Sequence, residues 1–356
     1  MNLKSLSLPE LRAALEPLGG SPAVALKIFA AVFARGAKEL EEVGRAPQVP
    51  RRVREGLLSK ARLPRLEILE RRRAADGFVK YLFESPLGGR VEAVRIPLFD
   101  EKYVVCVSSQ VGCALGCDFC MTGRLGFTRN LETWEMVDQV LAVRAEADRP
   151  VRGVVFMGMG EPLLNYVEVL RAAEILRHPA GTAISGKAIT LSTAGHVPGI
   201  RRYVREGHPY RLAFSITSAI PEKRAALMPV ERTWPLPELV EAIREYASVR
   251  RERAVLAYVA IRGLNTSRED AEALGRAFAG IPVKIDLIEV TDPTARHLPP
   301  TPEELSRFRD ELQILGAPIA RRYSGGKEIG AACGTLEASS RGGEVLEPLL
   351  VVSANP

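Results

Sequence analysis

The chain of 356 residues carries a formal net charge of +6 and five cysteines, an odd number that argues against a secreted disulfide scaffold and for the reducing cytoplasm. It lacks the unbroken apolar run of a signal peptide, and no segment approaches the roughly 18 uncharged apolar residues of a membrane span, so we expect no membrane partner. Its length exceeds the size at which one core usually stops growing, which predicts one large domain and a small one.

The positive charge is concentrated at the amino-terminal end. Residues 1–88 hold 16 Lys and Arg against 10 Asp and Glu, whereas the other 268 residues balance at 33 against 33. The cations cluster over residues 51–65 and again at 71–73, a pattern that suits the phosphate backbone of a nucleic acid. Such a run more often marks only a solvated surface, so the charge pattern alone leaves nucleic-acid binding open.

The same region predicts short helices followed by a hairpin. Leucines at helical spacing predict one helix, Ser21 and Pro22 form the cap and first position of a second, and residues 50–61 form a third that carries basic residues. Segments 77–83 and 90–96 alternate around a Pro-Leu-Gly-Gly turn, which indicates a β-hairpin.

From Val104 onward, apolar strands alternate with amphipathic helices. The predicted strands span residues 104–109, 152–159, 187–193, 211–217, 254–261 and 283–290. The predicted helices span residues 133–147, 165–177, 197–206, 235–249, 267–279 and 302–316. Six alternations imply an α/β fold with a parallel sheet, either a barrel or a doubly wound sheet, whose functional groups gather at the carboxyl ends of the strands.

Three cysteines follow the first of these strands on a glycine-rich loop with the spacing CxxxCxxC. They are Cys113, Cys117 and Cys120. A four-iron cluster takes four ligands, so three cysteines leave one iron open for a substrate. A structural zinc site usually needs two short ligand pairs, and Cys106 is the only nearby candidate for a fourth ligand. A zinc-stabilised RNA-binding protein without catalysis is therefore the alternative.

With Phe119 before its last cysteine, the motif resembles the signature of the radical S-adenosylmethionine (SAM) superfamily. Four longer strings are more specific: Cys-Val-Ser-Ser-Gln-Val-Gly-Cys (106–113), Gly-Phe-Thr-Arg-Asn-Leu (126–131), Gly-Met-Gly-Glu-Pro-Leu-Leu-Asn (158–165) and Ala-Ala-Cys-Gly (331–334). Together they resemble the RlmN/Cfr family, which methylates adenine in 23S ribosomal RNA and, in some members, transfer RNA. The similarity covers about residues 89–337.

The resemblance implies a partial (β/α)6 TIM-type barrel over residues 101–356, ending in a loop that bears Cys333. It implies a helical, basic, RNA-binding accessory domain over residues 1–75 and a β-hairpin extension over residues 76–100. It further implies a [4Fe-4S] cluster on the three loop cysteines. By the same resemblance, SAM contacts Gly160, Glu161, Ser192, Ser215, Ile216, Thr217 and Asp292. We also expect a monomer that receives electrons from a donor such as flavodoxin or ferredoxin.

A radical route suits this family because carbon 2 of adenine is electron-poor, so direct transfer of a methyl cation to it would be slow. By resemblance, Cys333 takes a methyl group from SAM and, after radical chemistry, becomes bonded to the RNA base. Glu92 matches the general base that removes the ring proton. Cys106 matches the thiol that attacks Cys333, releases the product and leaves a disulfide. Without the resemblance, Glu92 would be a solvent-facing strand carboxylate and both cysteines buried apolar side chains.

The chain departs from the family pattern in three places. Ser-Ile-Thr-Ser at 215–218 stands where Ser-Leu-His-Ala is usual, and Val-Thr-Asp-Pro at 290–293 replaces a Trp-Asn-Pro or Tyr-Asn-Pro pattern. The acidic residues that usually precede Ala-Ala-Cys-Gly become Gly-Lys-Glu-Ile-Gly at 326–330. These changes touch cofactor and substrate contacts but none of the five cysteines. Methylation of carbon 8, or of another RNA by the same mechanism, therefore stays open.

Overall fold

The computed structural model describes residues 1–46, 48–98 and 101–338 and is organised around one large β-sheet. The strands of the described part are β1 (Glu67–Arg73), β2 (Val79–Glu84), β3 (Arg90–Leu98), β4 (Lys102–Cys106), β5 (Gln110–Gly112), β6 (Phe127–Asn130), β7 (Val151–Phe156), β8 (Ile189–Thr193), β9 (Arg211–Ser215), β10 (Ala254–Ala260), β11 (Val283–Glu289) and β12 (Ile319–Arg321). Ten of them form the sheet in the order β1-β2-β3-β4-β7-β8-β9-β10-β11-β12, while β5 and β6 pair separately.

The sheet is parallel from β4 to β12 and antiparallel from β1 to β4. The six predicted strands are confirmed as β4 and β7 to β11, and β2 with β3 forms the predicted hairpin. The short strand β12 was not predicted, because three residues after a proline carry no apolar run. The parallel strands follow one another in chain order, without the reversal of a doubly wound sheet, and within the described residues β1 and β12 are the edges, so the arrangement is that of an open barrel.

Six helices supply the crossovers between the parallel strands, and the described residues form twelve α-helices in all. They are α1 (Leu8–Leu15), α2 (Pro22–Phe33), α3 (Leu40–Gly44), α4 (Arg51–Lys60), α5 (Met121–Arg124), α6 (Thr133–Glu146), α7 (Tyr166–Arg177), α8 (Val197–Glu206), α9 (Pro221–Leu227), α10 (Leu236–Arg250), α11 (Arg268–Ala277) and α12 (Pro302–Glu311). The six predicted crossover helices are confirmed as α6, α7, α8, α10, α11 and α12. Among the described helices, none has the length and apolar character needed to span a bilayer.

Local signals in the sequence explain where these helices begin and end. In α8, Pro198 lies in the first turn and Gly207 ends the helix with a φ of +68°, a left-handed conformation that glycine adopts without strain. Its apolar side chains at helical spacing, including Ile200 and Tyr203, are buried against the core.

The amino-terminal helices share one continuous buried core with the barrel. A buried ion pair joins the two parts: the ammonium group of Lys4 lies 2.5 Å from a carboxylate oxygen of Asp138 on α6. The other oxygen of Asp138 accepts a hydrogen bond from the backbone N–H of Leu66 at 2.7 Å. Strand β1 lies inside the segment 1–75 that was predicted to be helical, and the division into domains stays a prediction. Residues 339–356 of the predicted catalytic domain lie outside the described part of the chain.

Candidate active site

The cysteine loop runs from β5 to α5 and is fixed by backbone hydrogen bonds. At Gly112, where φ is +74°, a Cβ atom would lie 1.9 Å from the carbonyl oxygen of Gly126, so only glycine fits. The adjacent N–H of Cys113 donates to that same oxygen at 2.7 Å. Farther along, the N–H of Asp118 donates to the carbonyl of Leu227 at the end of α9 at 2.9 Å. The loop is thereby held over the carboxyl ends of the parallel strands.

The three loop cysteines are half-buried, and their thiols are close enough for the charge of one to act on another. Burial raises the pKa of the Cys113 thiol to about 12 and the pKa of Cys117 well above its usual value, and the charges of Cys113 and Cys120 raise that of Cys117 further. In the described residues, no group of three His, Cys, Asp or Glu side chains is placed to hold a single metal ion. A zinc ion needs its sulfur ligands at about 2.3 Å. Three thiolates on one loop, each able to bind a different iron, match the ligand set of a four-iron cluster with one open iron.

The Gly-Met-Gly-Glu segment that follows β7 lies against the start of the cysteine loop. At Gly160, where φ is +99°, a Cβ atom would lie 2.5 Å from the Cβ of Gln110. The buried carboxylate of Glu161 accepts hydrogen bonds from the N–H groups of Ala194, at 2.8 Å, and of Leu163, at 3.0 Å. Burial raises the pKa of Glu161 to about 7, although these N–H groups act in the opposite direction. Glu161 therefore fastens the end of β7 to the end of β8.

The other residues predicted to contact SAM lie at the same edge of the sheet. Ser192 pairs with β9 near the end of β8, and the segment 215–217 closes β9. Thr217 is fully buried and has a φ of +57°. Its hydroxyl has no hydrogen-bond partner among the described residues, and neither has the buried hydroxyl of Thr291, which follows β11. Because buried polar groups are nearly always hydrogen-bonded, these two hydroxyls fit a polar ligand such as SAM.

Asp292 has a different environment from the other predicted SAM contacts. Its carboxylate forms a two-point ion pair with the guanidinium of Arg124 on α5, with N–O distances of 2.6 and 3.2 Å. Burial opposes ionisation, but the hydrogen bonds from Arg124 and Thr294 outweigh it and hold the pKa of Asp292 below its usual range. His297 from the same segment bonds to Asp118 at 2.7 Å. The segment after β11 is thus hydrogen-bonded both to the cysteine loop and to α5. Contact of Asp292 with SAM stays a prediction.

The loop bearing Cys333 lies directly beside the cysteine loop. The N–H of Met121 donates to the carbonyl of Gly334 at 2.8 Å, and the hydroxyl of Thr122 donates to the carbonyl of Leu336. The N–H of Cys333 itself donates to the hydroxyl of Ser324 at 2.8 Å. The Cys333 side chain is exposed, so its thiol is open to a substrate at the place where the loop meets α5.

Cys106 lies at the end of β4, within the range at which the charge of Cys333 acts on its thiol. It is buried, and burial raises the pKa of its thiol to about 12, with a further contribution from the charge of Cys333. Both cysteines are free thiols in this structure. The two predicted thiols thus interact electrostatically, and the disulfide between them stays a prediction.

Glu92 is buried on β3, so its alternative assignment as a solvent-facing carboxylate is wrong. Its two carboxylate oxygens bond to the ammonium group of Lys80, at 2.9 Å, and to the N–H of Glu337, at 3.0 Å. Lys80 was missed by the sequence reasoning, although the hairpin register places it on β2 diagonally across from Glu92. Since Glu337 follows the Cys333 loop, this contact brings the loop and the predicted base into one site.

The chain is similar to known proteins over most of its length. The family described as the Radical SAM superfamily matches residues 107–274. A protein from Myxococcus xanthus named "Probable RNA methyltransferase" is 74% identical over 97% of this chain and 97% of its own length. The "Dual-specificity RNA methyltransferase RlmN" of Anaeromyxobacter dehalogenans is 39% identical over 96% and 93% of the two chains. The crystal structure of a radical SAM methyltransferase from Sphaerobacter thermophilus superposes on this structure with a TM-score of 0.88. The alignment covers 95% of this chain and 100% of that one, at 37% sequence identity.

Proposed function

Because the chain belongs to the RlmN type of radical SAM RNA methyltransferases, we propose that it methylates carbon 2 of an adenine through Cys333. The proposed substrate is 23S ribosomal RNA, with transfer RNA as a second substrate; that relatives are named dual-specificity RNA methyltransferases supports a second substrate. The proposal includes a covalent bond between the RNA and Cys333 during the reaction.

The observation that supports this proposal most is the meeting of the Cys333 loop with three separate elements. Hydrogen bonds join residues 334–336 to α5, next to the cysteine loop. Glu337 bonds to the predicted base Glu92, and the charge of Cys333 acts on the thiol of Cys106. A surface thiol without a catalytic role would not require these groups, which lie far apart in the sequence, to converge.

The cofactors of this family are a [4Fe-4S] cluster, which Cys113, Cys117 and Cys120 would hold, and SAM, which the edge formed by residues 160–161, 192 and 215–217 would bind. Together they supply methyl groups and one-electron chemistry that a protein side chain cannot provide. The protein's own contribution is to hold the thiol of Cys333 and the RNA base close to that edge.

Each remaining side chain has a defined task in the proposed reaction. Cys333 carries the methyl carbon as a thioether and presents it to the base. Once the thioether carbon has bonded to the ring carbon, the unpaired electron of the adduct would pass to the bound cofactors. A Glu92 oxygen takes the proton from the ring carbon, and the electron pair of that C–H bond stays with the ring. The thiolate of Cys106 then attacks the sulfur of Cys333: an S–S bond forms, the S–C bond breaks, and the carbon keeps the electron pair and gains a proton.

We place RNA binding on a groove of about 760 Å³ between the amino-terminal helices and α6. Among the described residues, its lining holds six cations and two carboxylates, Glu67 and Asp138. Lys4 and Arg71 are paired with Asp138 and Glu146, whereas in the described structure the other four have no carboxylate partner: Arg35, Lys38, Arg65 and Arg144. Unpaired cations in a groove are suited to successive phosphates of an RNA backbone.

The proposal also covers the cellular setting. An electron donor such as flavodoxin or ferredoxin would reduce the cluster, and the cytoplasm would provide thiols to reduce the disulfide after each turnover. We propose that the enzyme acts as a monomer.

Mass spectrometry of treated RNA tests the proposal. Anaerobically reconstituted protein is incubated with SAM, a reductant and 23S ribosomal RNA, and the methylated position is mapped. We expect 2-methyladenine from the unmodified protein, RNA bonded to Cys333 in a Cys106→Ala variant, and neither in a matched Cys333→Ala variant. A methyl group on carbon 8 would support the alternative position, and methylation by Cys333→Ala would exclude the covalent route.

A further inference from the structure

Arg224, on α9, is a charged side chain with no exposed surface, at the edge of the sheet where the site lies. Its Nε donates to a carboxylate oxygen of Glu231 at 2.8 Å, which provides a counter-charge. A buried guanidinium is costly unless its donors are satisfied, and here each of its nitrogens has a partner.

The two terminal nitrogens of Arg224 donate to backbone carbonyls at the ends of two neighbouring strands. One terminal nitrogen donates to the carbonyl of Ala194, just after β8, at 2.9 Å. The other donates to the carbonyls of Ser215, at 3.1 Å, and Ile216, at the end of β9. Arg224 therefore fixes the spacing of the two segments that carry the predicted SAM contacts.

The same side chain lies beneath the cysteine loop. It contacts the sulfur of Met228 at 3.5 Å, and Met228 belongs to the apolar cluster against which Cys117 packs. Less than one helical turn after Arg224, the carbonyl of Leu227 accepts the N–H of Asp118 from the loop. Although burial raises the pKa of Cys117, the charge of Arg224 acts on this thiol in the opposite direction. The cation is thus close to one of the three cluster ligands.

We propose that Arg224 is a positioning residue that also sets the reduction potential of the cluster. Reduction adds one negative charge to the cluster, and a buried cation nearby stabilises that charge because a dry interior screens it weakly. Glu231 acts with the opposite sign, since it partly cancels the cation. The inference depends on the cluster of the proposed function but not on the RNA or the carbon that is methylated.

Redox titration of the anaerobically reconstituted full-length protein, followed by the electron paramagnetic resonance of the reduced cluster, tests this inference. We expect Arg224→Gln to make reduction at least tenfold less favourable, which is 59 mV for one electron. We expect Glu231→Gln to shift the midpoint in the opposite direction. Arg224→Lys should keep a potential near that of the unmodified protein but weaken SAM binding, because it keeps the charge and loses the forked hydrogen bonds.

The opposite signs separate this role from a merely structural one. A structural defect would move Arg224→Gln and Glu231→Gln in the same direction, and that result would overturn the inference, as would unchanged potentials with full iron content. If Arg224→Gln holds no iron, the Glu231→Gln variant alone decides. A higher midpoint potential of its cluster still supports the role of Arg224, and an unchanged or lower potential refutes it. The matched control is the exposed Arg268→Gln on α11, which should leave the potential unchanged. Unmodified protein without iron would instead refute the proposed function.

Discussion

The buried ion pair between Lys80 and Glu92 gives the most quantitative prediction about the site. Their side chains are 6% and 1% exposed, and the N–O distance is 2.9 Å. Removing one partner of such a pair leaves an unpaired buried charge and typically costs about 3–5 kcal/mol. We therefore predict that Lys80→Met lowers the free energy of unfolding by about that amount, while Met fills most of the space of the lysine stem.

Urea denaturation of the full-length protein measures this loss, and a double variant shows its origin. In Lys80→Met/Glu92→Gln no charge is left unpaired, so most of the lost stability should return. Methylation should not return, because the double variant lacks the proposed base. The exposed pair of Arg51 and Glu55 is the matched control, and Arg51→Met should cost less than about 1 kcal/mol.

Two results would refute this reasoning. Lys80→Met could prove as stable as the unmodified protein, which would mean that water reaches Glu92 and compensates its charge. Alternatively, the double variant could be as unstable as the single variant, which would mean that packing of the lysine stem, and not charge, is what the substitution removes.

Three further predictions follow from the site and the groove. Burial raises the pKa of Cys106 to about 12, so the fraction of its thiolate grows about tenfold per pH unit between pH 7 and 9. The rate of product release, measured by rapid quench, should rise by the same factor. A rate that does not change with pH would contradict this. Arg65→Glu should weaken RNA binding in a filter-binding assay. It should also reduce the slope of log binding constant against log salt concentration by the equivalent of one or more phosphate contacts. The exposed Arg276→Glu on α11 should change neither the affinity nor the slope. Gly160→Ala should abolish SAM binding in calorimetry, because its Cβ would lie 2.5 Å from the Cβ of Gln110; binding at normal affinity would show that the segment can shift.

Much of the fold could be predicted because local patterns determine it. Apolar runs located six parallel strands, amphipathic spacing located the helices between them, and the cap of Ser21 with Pro22 located α2 in the amino-terminal region. Strand β12 escaped because an isolated three-residue strand forms only when β11 offers it a neighbour. Strand β1 escaped because its last residues are three arginines, which a strand at the sheet edge tolerates in solvent.

The site was predictable only where a motif carried it. The cysteine spacing pointed to the cluster, and the string around Cys333 pointed to the methyl-carrying thiol through the family resemblance alone. Nothing local indicated the ion pair of Arg124 with Asp292, which joins residues 168 positions apart, or the contact of Lys80 with Glu92. Such partners depend on how strands align in the sheet, which the periodicity of a single sequence does not specify.

The most direct test of the central claim follows the hydrogen atoms of the methyl group. Reconstituted protein is supplied with SAM whose methyl group carries three deuterium atoms, and the methylated adenine and the peptide containing Cys333 are examined by mass spectrometry. If Cys333 carries the methyl carbon through a radical step, the cysteine is labelled and the RNA methyl group keeps only two deuterium atoms, the third hydrogen coming from water. A product with all three deuterium atoms and an unlabelled Cys333 would show direct methyl transfer and contradict the account.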